Sequence, residues 1–226
     1  MKAMLLAAGR GSRMQSLTDE KPKALLTIAG KPLIAYQLIK LANANIKDIV
    51  INVSYRAEQI IETLGNGYDY GVNIEYSFEP IALETGGGIL QALPMLGSSP
   101  FIVLSADIWT DYPIEKLAQH LFLNSVQAHL VLVDNPNFHP KGDFHLQKNN
   151  FLSLDDLPKL TFASFGIYHP SLFKDYDAGS FPLVEVLRKR INEKKVTGEH
   201  YRGNWFNIGN LSELTRLNAY LNKQKS

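Results

Sequence analysis

The residues with the clearest chemical potential lie at the start of the chain, in Leu6-Ala7-Ala8-Gly9-Arg10-Gly11-Ser12-Arg13, with Lys21-Pro22-Lys23 after a short gap. Gly9 and Gly11 let the backbone turn tightly and present its N–H groups to an anion. Arg13 adds a forked guanidinium and Lys23 a point charge, which suits a polyphosphate. The stretch therefore reads as a nucleoside triphosphate site, in which Ala8, Gly9, Gly11 and Ser12 supply the cradle. Residue types alone also allow a plain glycine turn with solvated basic neighbours. Two other phosphate motifs are excluded by spacing: the dinucleotide fingerprint needs a small residue where this chain has Met14, and G-x-x-x-x-G-K-[ST] does not occur.

Two further stretches could do chemistry. In residues 79–88, Leu83-Glu84-Thr85-Gly86-Gly87-Gly88 precedes a helical pattern over residues 89–96. Three glycines cost backbone entropy, and either close approach by a flat ligand or a flexible helix start accounts for them. The apolar run 101–105 delivers Asp107 to the carboxyl end of a strand, the edge at which open α/β sheets bind ligands. A carboxylate there can hold a metal ion or cap the following turn. Gly166, inside the apolar stretch 159–169, suggests a bulge or a close ligand approach. His139, His145 and His169 lack the i, i+4 pairing of a zinc helix and read as turn or surface residues.

The first 35 residues, through Lys21-Pro22-Lys23-Ala24-Leu25-Leu26 and Gly30-Lys31-Pro32-Leu33-Ile34, resemble the N-terminal signature of the sugar-1-phosphate nucleotidyltransferases. Leu83 to Gly88 and Asp107-Ile108-Trp109-Thr110-Asp111-Tyr112 resemble the N-acetylmuramate-1-phosphate uridylyltransferase subgroup. The resemblance implies UTP and a sugar-1-phosphate as substrates, Mg2+ as cofactor, and a place in peptidoglycan recycling. It implies that Arg13, Lys23 and Asp107 carry catalysis, and that Glu79, Thr85, Gly86, Gly87 and Gly88 meet the base and ribose. Ser105, Asp143 and Gly166 would lie near the sugar, with Asp107 and the position of Asn207 on the metal. Two residues depart from the pattern. Family members carry aspartate where this chain has Asn207, and the subgroup has asparagine and glycine where it has Ser105-Ala106. Losing the charge at Asn207 weakens a ligand for a hard cation. Three outcomes follow: phosphates and water complete the shell, Asp111 or Asp143 swings in, or the chain binds nucleotide-sugars without turnover. Another nucleotidyltransferase specificity, such as mannose-1-phosphate with GTP, is a fourth reading.

These residues need a scaffold. Apolar or β-branched runs at 3–8, 48–53, 73–78, 101–105, 128–133 and 159–169 read as strands. Amphipathic patterns at 32–44, 56–64, 89–96, 113–124, 181–191 and 211–221 read as helices, the last capped by Asn210 with Glu213. Segments 143–148 and 151–154 read as a hairpin around Asn149-Asn150. The alternation predicts an α/β fold: a Rossmann-like, mixed but mostly parallel sheet with helices on both faces. At 226 residues one domain is expected, with residues 1–133 holding nucleotide and 134–226 the sugar phosphate. Zero cysteines exclude disulfides and thiolate chemistry and fit a reducing, cytoplasmic setting. A net charge of +1 gives no global attraction to nucleic acid or membrane, and a monomer or weak homodimer is expected.

Overall fold

The computed structural model describes residues 1–11, 14, 16–120, 122 and 125–224. The first half contains β1 (Lys2–Leu6), α1 (Ser16–Asp19), β2 (Thr27–Ile28), β3 (Lys31–Pro32), α2 (Leu33–Asn43), β4 (Asp48–Val53), α3 (Ala57–Leu64) and β5 (Asn73–Phe78). It continues with α4 (Glu84–Leu96), β6 (Phe101–Ser105), β7 (Ile108–Thr110), α5 (Glu115–Ala118) and β8 (Ala128–Val133). The second half adds β9 (His145–Leu146), β10 (Leu152–Ser153), β11 (Thr161–Tyr168), α6 (Leu183–Asn192), β12 (Val196–His200), β13 (Trp205–Asn207) and α7 (Leu211–Lys223).

Seven strands form one sheet in the order β12-β8-β11-β6-β1-β4-β5. β11 runs antiparallel to both neighbours, β6 and β8, and the other pairs are parallel. The central strands are apolar throughout because helices cover both faces. Successive side chains alternate between those faces. Thus Leu5, Ile51 and Leu104 pack with Ile34 and Leu38 of α2 and Ile60 of α3. Met4, Val50 and Val103 face the other way, onto Ile89 and Ala92 of α4 and Val186 and Leu187 of α6. Leu104 is wholly buried, so truncating it to alanine costs about 2–5 kcal/mol. A third cluster seats Leu217 and Leu221 of α7 on Trp109, Phe206 and Ile208, around the two-stranded ribbon of β7 and β13.

The expected hairpin forms, with Leu152 opposite Leu146. Asn210 caps α7, its Oδ1 accepting from the Glu213 N–H at 2.9 Å. Two expectations are corrected. The helix expected over residues 89–96 starts earlier: α4 begins at Glu84 and includes Gly86, Gly87 and Gly88. α5 covers Glu115–Ala118 only, with Gln119 as its C-cap, and residues 121, 123 and 124 of the expected helix lie outside the described residues. The irregularity in β11 falls between Phe162 and Gly166, where Ser164 takes φ +63°. Among the described residues, no helix is long and apolar enough to cross a membrane.

Candidate active site

Because β1, β4, β5 and β6 are parallel, the segments leaving their carboxyl ends meet at one edge of the sheet. A cavity of about 310 Å³ opens there. On one side Ala8, Gly9 and Gly11 line it with backbone, and Lys23 enters beneath them. Gly11 has φ +69°, and a Cβ on it would sit 3.1 Å from both Cβ and Cδ of Lys23. The glycine therefore permits the turn and the close passage of the lysine stem. The Gly11 carbonyl is fixed by the Met14 N–H at 2.8 Å and the Thr18 hydroxyl at 3.0 Å. Ser12 and Arg13 lie outside the described residues. Arg10 lies over the Tyr55 ring at 5.4 Å and Arg56 over the same ring at 5.5 Å, so cationic groups also flank the loop.

Lys23 starts a short 3-10 turn after Pro22, which sends its buried side chain inward. Its Nζ lies 2.5 Å from Oδ2 of Asp107, and the Ser105 hydroxyl donates to Oδ1 at 2.6 Å. A buried ammonium is costly without an anionic partner, and Asp107 is that partner here. Ser105 ends β6 and Asp107 sits in the link to β7, so sheet geometry holds both. β13 lies against β7 with Asn207 opposite Ile108, and the Ile208 N–H donates to the Asp107 carbonyl at 2.9 Å. The backbone around Asn207 thus runs past that of Asp107, although the two are far apart in sequence, but Asn207 itself does not line the cavity.

On the opposite side Asn52, Glu79, Glu84 and Thr85 complete the lining. Gly86, Gly87 and Gly88 do not line it. The N–H groups of Gly86 and Gly87 donate to the Phe181 carbonyl at 2.9 and 3.1 Å, and a Cβ on Gly87 would fall 2.0 Å from the Gly179 carbonyl. The close approach anticipated for a flat ligand is made instead by the chain itself, by residues 179–181 at Gly86 and Gly87 and by Glu79 and Asn52 at Gly88. Thr85 accepts the Leu183 N–H on its Oγ1 at 2.8 Å and so holds the start of α6.

Residues 2–141 match the family described as nucleotidyl transferase. The N-acetylmuramate alpha-1-phosphate uridylyltransferase of Neisseria meningitidis serogroup B (strain ATCC BAA-335 / MC58) is 44% identical over 97% of each chain. This chain belongs to the nucleotidyl transferase family. The enzyme of the same description from Caulobacter vibrioides is 32% identical over 92% of this chain and 91% of its own. A solved structure, a candidate glucose-1-phosphate thymidylyltransferase of Bacillus anthracis, superposes with TM-score 0.84 over 97% of this chain and 94% of the other. At 21% identity that likeness establishes the nucleotidyl transferase fold alone.

Nucleotidyl transferases generally use a divalent metal, and the residues present can be tested for one. Among the described residues, no group of three or more His, Cys, Asp or Glu could hold an ion. The Asp107 carboxylate and the Asn207 amide are oxygen donors. By donor type each is compatible with a hard cation that takes most of its shell from phosphates and water, and of the two only Asp107 lines the cavity. Neither Asp111 nor Asp143 is free to assist. Asp111 accepts from Tyr201, from the Asn204 N–H at 2.8 Å and from the Asn204 amide at 2.6 Å. Burial pushes the Asp111 carboxyl up, but these bonds together hold it below the usual range. Asp143 accepts the Phe162 N–H at 2.8 Å and faces His139 Nε2 at 3.1 Å. It fastens the 139–143 turn to β11 and does not line the cavity.

Gly166 is also absent from the lining: it lies in the sheet, where a Cβ would stand 2.5 Å from the His129 carbonyl. Ser105 is the one residue expected near the sugar that reaches the cavity. Asn52 was not anticipated. Its signal was a carboxamide within the otherwise apolar strand run Ile49-Val50-Ile51-Asn52-Val53, since a buried polar side chain needs a partner.

Proposed function

We propose that this nucleotidyl transferase moves a uridylyl group from UTP to N-acetylmuramate-1-phosphate, giving the UDP-sugar and pyrophosphate. The observation that carries the reading is the buried Lys23 ammonium held by Asp107 on the floor of a cavity walled by the Ala8 to Gly11 backbone. The identity to two uridylyltransferases over nearly the whole chain supports the base and the sugar. A sugar-1-phosphate oxygen attacks the α-phosphorus of UTP as pyrophosphate leaves, with no covalent enzyme intermediate. Catalysis then rests on alignment and charge neutralisation. Lys23 exchanges Asp107 for the α-phosphoryl and sugar phosphate oxygens. Arg13, Ser12 and the loop amides receive the departing pyrophosphate. Asp107, with Asn207 as the second ligand position, would hold Mg2+, which when bound would offset charge on the triphosphate. Glu79 and Thr85 shape the base side and Ser105 the sugar side. Asp143 and Gly166 act through the segments they hold. N-acetylmuramate is a cell-wall sugar, so the product belongs to cytoplasmic peptidoglycan recycling.

The test is pyrophosphate release from UTP, Mg2+ and N-acetylmuramate-1-phosphate, with GTP and mannose-1-phosphate in parallel. Turnover confined to the uridine pair is expected. The Asn207→Asp variant should reach half its maximal rate at about tenfold lower Mg2+, because a carboxylate replaces a neutral ligand. Tight nucleotide-sugar binding with no pyrophosphate from either protein would overturn the catalytic reading.

A further inference from the structure

A single line of hydrogen bonds crosses the base of the cavity from β1 to α4. The Ala7 N–H donates to Oδ1 of Asn52 at 2.9 Å, Nδ2 of Asn52 donates to Oε1 of Glu79 at 2.7 Å, and Oε2 of Glu79 accepts the Leu83 N–H at 2.9 Å. Each polarity is forced. A backbone N–H can only donate, so the Asn52 amide must turn its oxygen to Ala7 and its nitrogen to position 79. The group there must accept from that nitrogen and from Leu83 together, which a carboxylate does and a carboxamide does not. Asn52 and Glu79 are 2% and 1% exposed, so neither has water as a substitute partner. Gly88 belongs to the same arrangement: a Cβ on it would lie 2.5 Å from Glu79 Oε1 and 2.8 Å from Asn52 Nδ2.

Ala7 immediately precedes the Ala8 to Gly11 wall, and Leu83 immediately precedes Glu84 and Thr85 on the other. We infer that Asn52 and Glu79 are a positioning pair that fixes the phosphate loop relative to the start of α4, and so sets nucleotide affinity without a side-chain contact to the base. The inference rests on the nucleotide reading above. It differs from that reading in making the Glu79 carboxylate a relay between two backbone segments and not a ligand for uracil.

The polarity supplies the test. Glu79→Gln brings two donors face to face or strands the Leu83 N–H, and Asn52→Asp sets two carboxylates against each other. In the double variant Asn52→Asp/Glu79→Gln, the new carboxylate at 52 accepts from Ala7 and from the new amide at 79, whose oxygen accepts from Leu83. Every bond and the net charge are restored with the polarity of the middle bond reversed. UTP affinity is measured by titration, kcat and KM by pyrophosphate release, and folding by thermal midpoint. Each single variant should weaken UTP binding and raise its KM about tenfold, the worth of one lost charge-assisted hydrogen bond, with a much smaller change in kcat. The double variant should return both to within about threefold of the parent. A double variant that binds as poorly as Glu79→Gln, whether or not its midpoint recovers, overturns the inference, as do single variants of unchanged affinity. A parent that binds no UTP indicts the nucleotide reading itself.

Discussion

Replacing Lys23 by alanine separates the two roles its geometry gives it. In the fold, its side chain is 10% exposed and ends 2.5 Å from Asp107, whose side chain is 30% exposed. Once the ammonium is gone, Asp107 keeps the Ser105 hydroxyl at 2.6 Å and enough exposure to recruit water. The stability cost is therefore about 1 kcal/mol, the worth of one part-exposed pair, and not the several kcal/mol of a sealed one. In the proposed reaction no such substitute exists, because the lost donor would face charge that moves during phosphoryl transfer. Removing one preorganised donor of this kind costs about 10²–10³-fold in kcat. Lys23→Arg should not restore the rate: the stem passes where Gly11 leaves no room for even a Cβ at 3.1 Å, and a planar fork is wider than an ammonium. Pyrophosphate release at saturating substrates, beside a thermal midpoint, reads both roles. A folded Lys23→Ala protein with kcat within about threefold of the parent would refute the assignment.

Other perturbations have equally definite outcomes. Gly11→Ala forces a side chain onto φ +69° and against the Lys23 stem, so a loss of about 1–3 kcal/mol in denaturant unfolding, with slower turnover, is expected. Arg190 is 1% exposed and bonds Asp175 at 2.9 Å, Glu193 at 2.9 Å and the Leu172 carbonyl at 3.0 Å. Arg190→Met should cost about 2–3 kcal/mol in stability, chiefly from the stranded carbonyl and lost charge-assisted bonds, and leave the KM for UTP unchanged. Because the folded Asp111 carboxyl titrates below its ordinary 3.8, its contribution is full above that value and is lost as pH falls through the folded value. Asp111→Asn should accordingly flatten the acid limb of a stability–pH profile; an unchanged limb would show that Tyr201 and Asn204 do not hold the ionised form.

The fold was legible where one cause dominates. The runs at 101–105 and 128–133 coincide with β6 and β8, whose burial on both faces demands a nearly unbroken apolar run, and 48–53 and 73–78 coincide with β4 and with the edge strand β5, which is polar and largely exposed. The start of α4 was not legible. Glycine propensity argued for a loop, but the Phe181 carbonyl supplies the acceptor that anchors Gly86 and Gly87 in the helix, and nothing local announces a partner so distant in sequence. In the candidate site, Gly11, Lys23 and Asp107, singled out for their residue types, line one cavity. The passage of the Asn207 backbone alongside that of Asp107 depends on the β7–β13 ribbon, two strands of three residues each, too short for any periodicity to show. The anchoring of Asp143 was hidden for a related reason: a carboxylate in a turn looks free until the backbone N–H it accepts is known.

The position of β11 between β6 and β8 bears on how the protein is made. A ribosome releases β6 and β8 well before the strand that separates them exists. Residues 106–160 take about 3–11 s to synthesise at ordinary elongation speeds, and throughout that interval β6 has β1 on one side and a bare edge on the other. A bare apolar edge is a template for pairing with another nascent chain. The wedge strand thus leaves the emerging polypeptide with an open seam that closes only once residues 161–168 have been made.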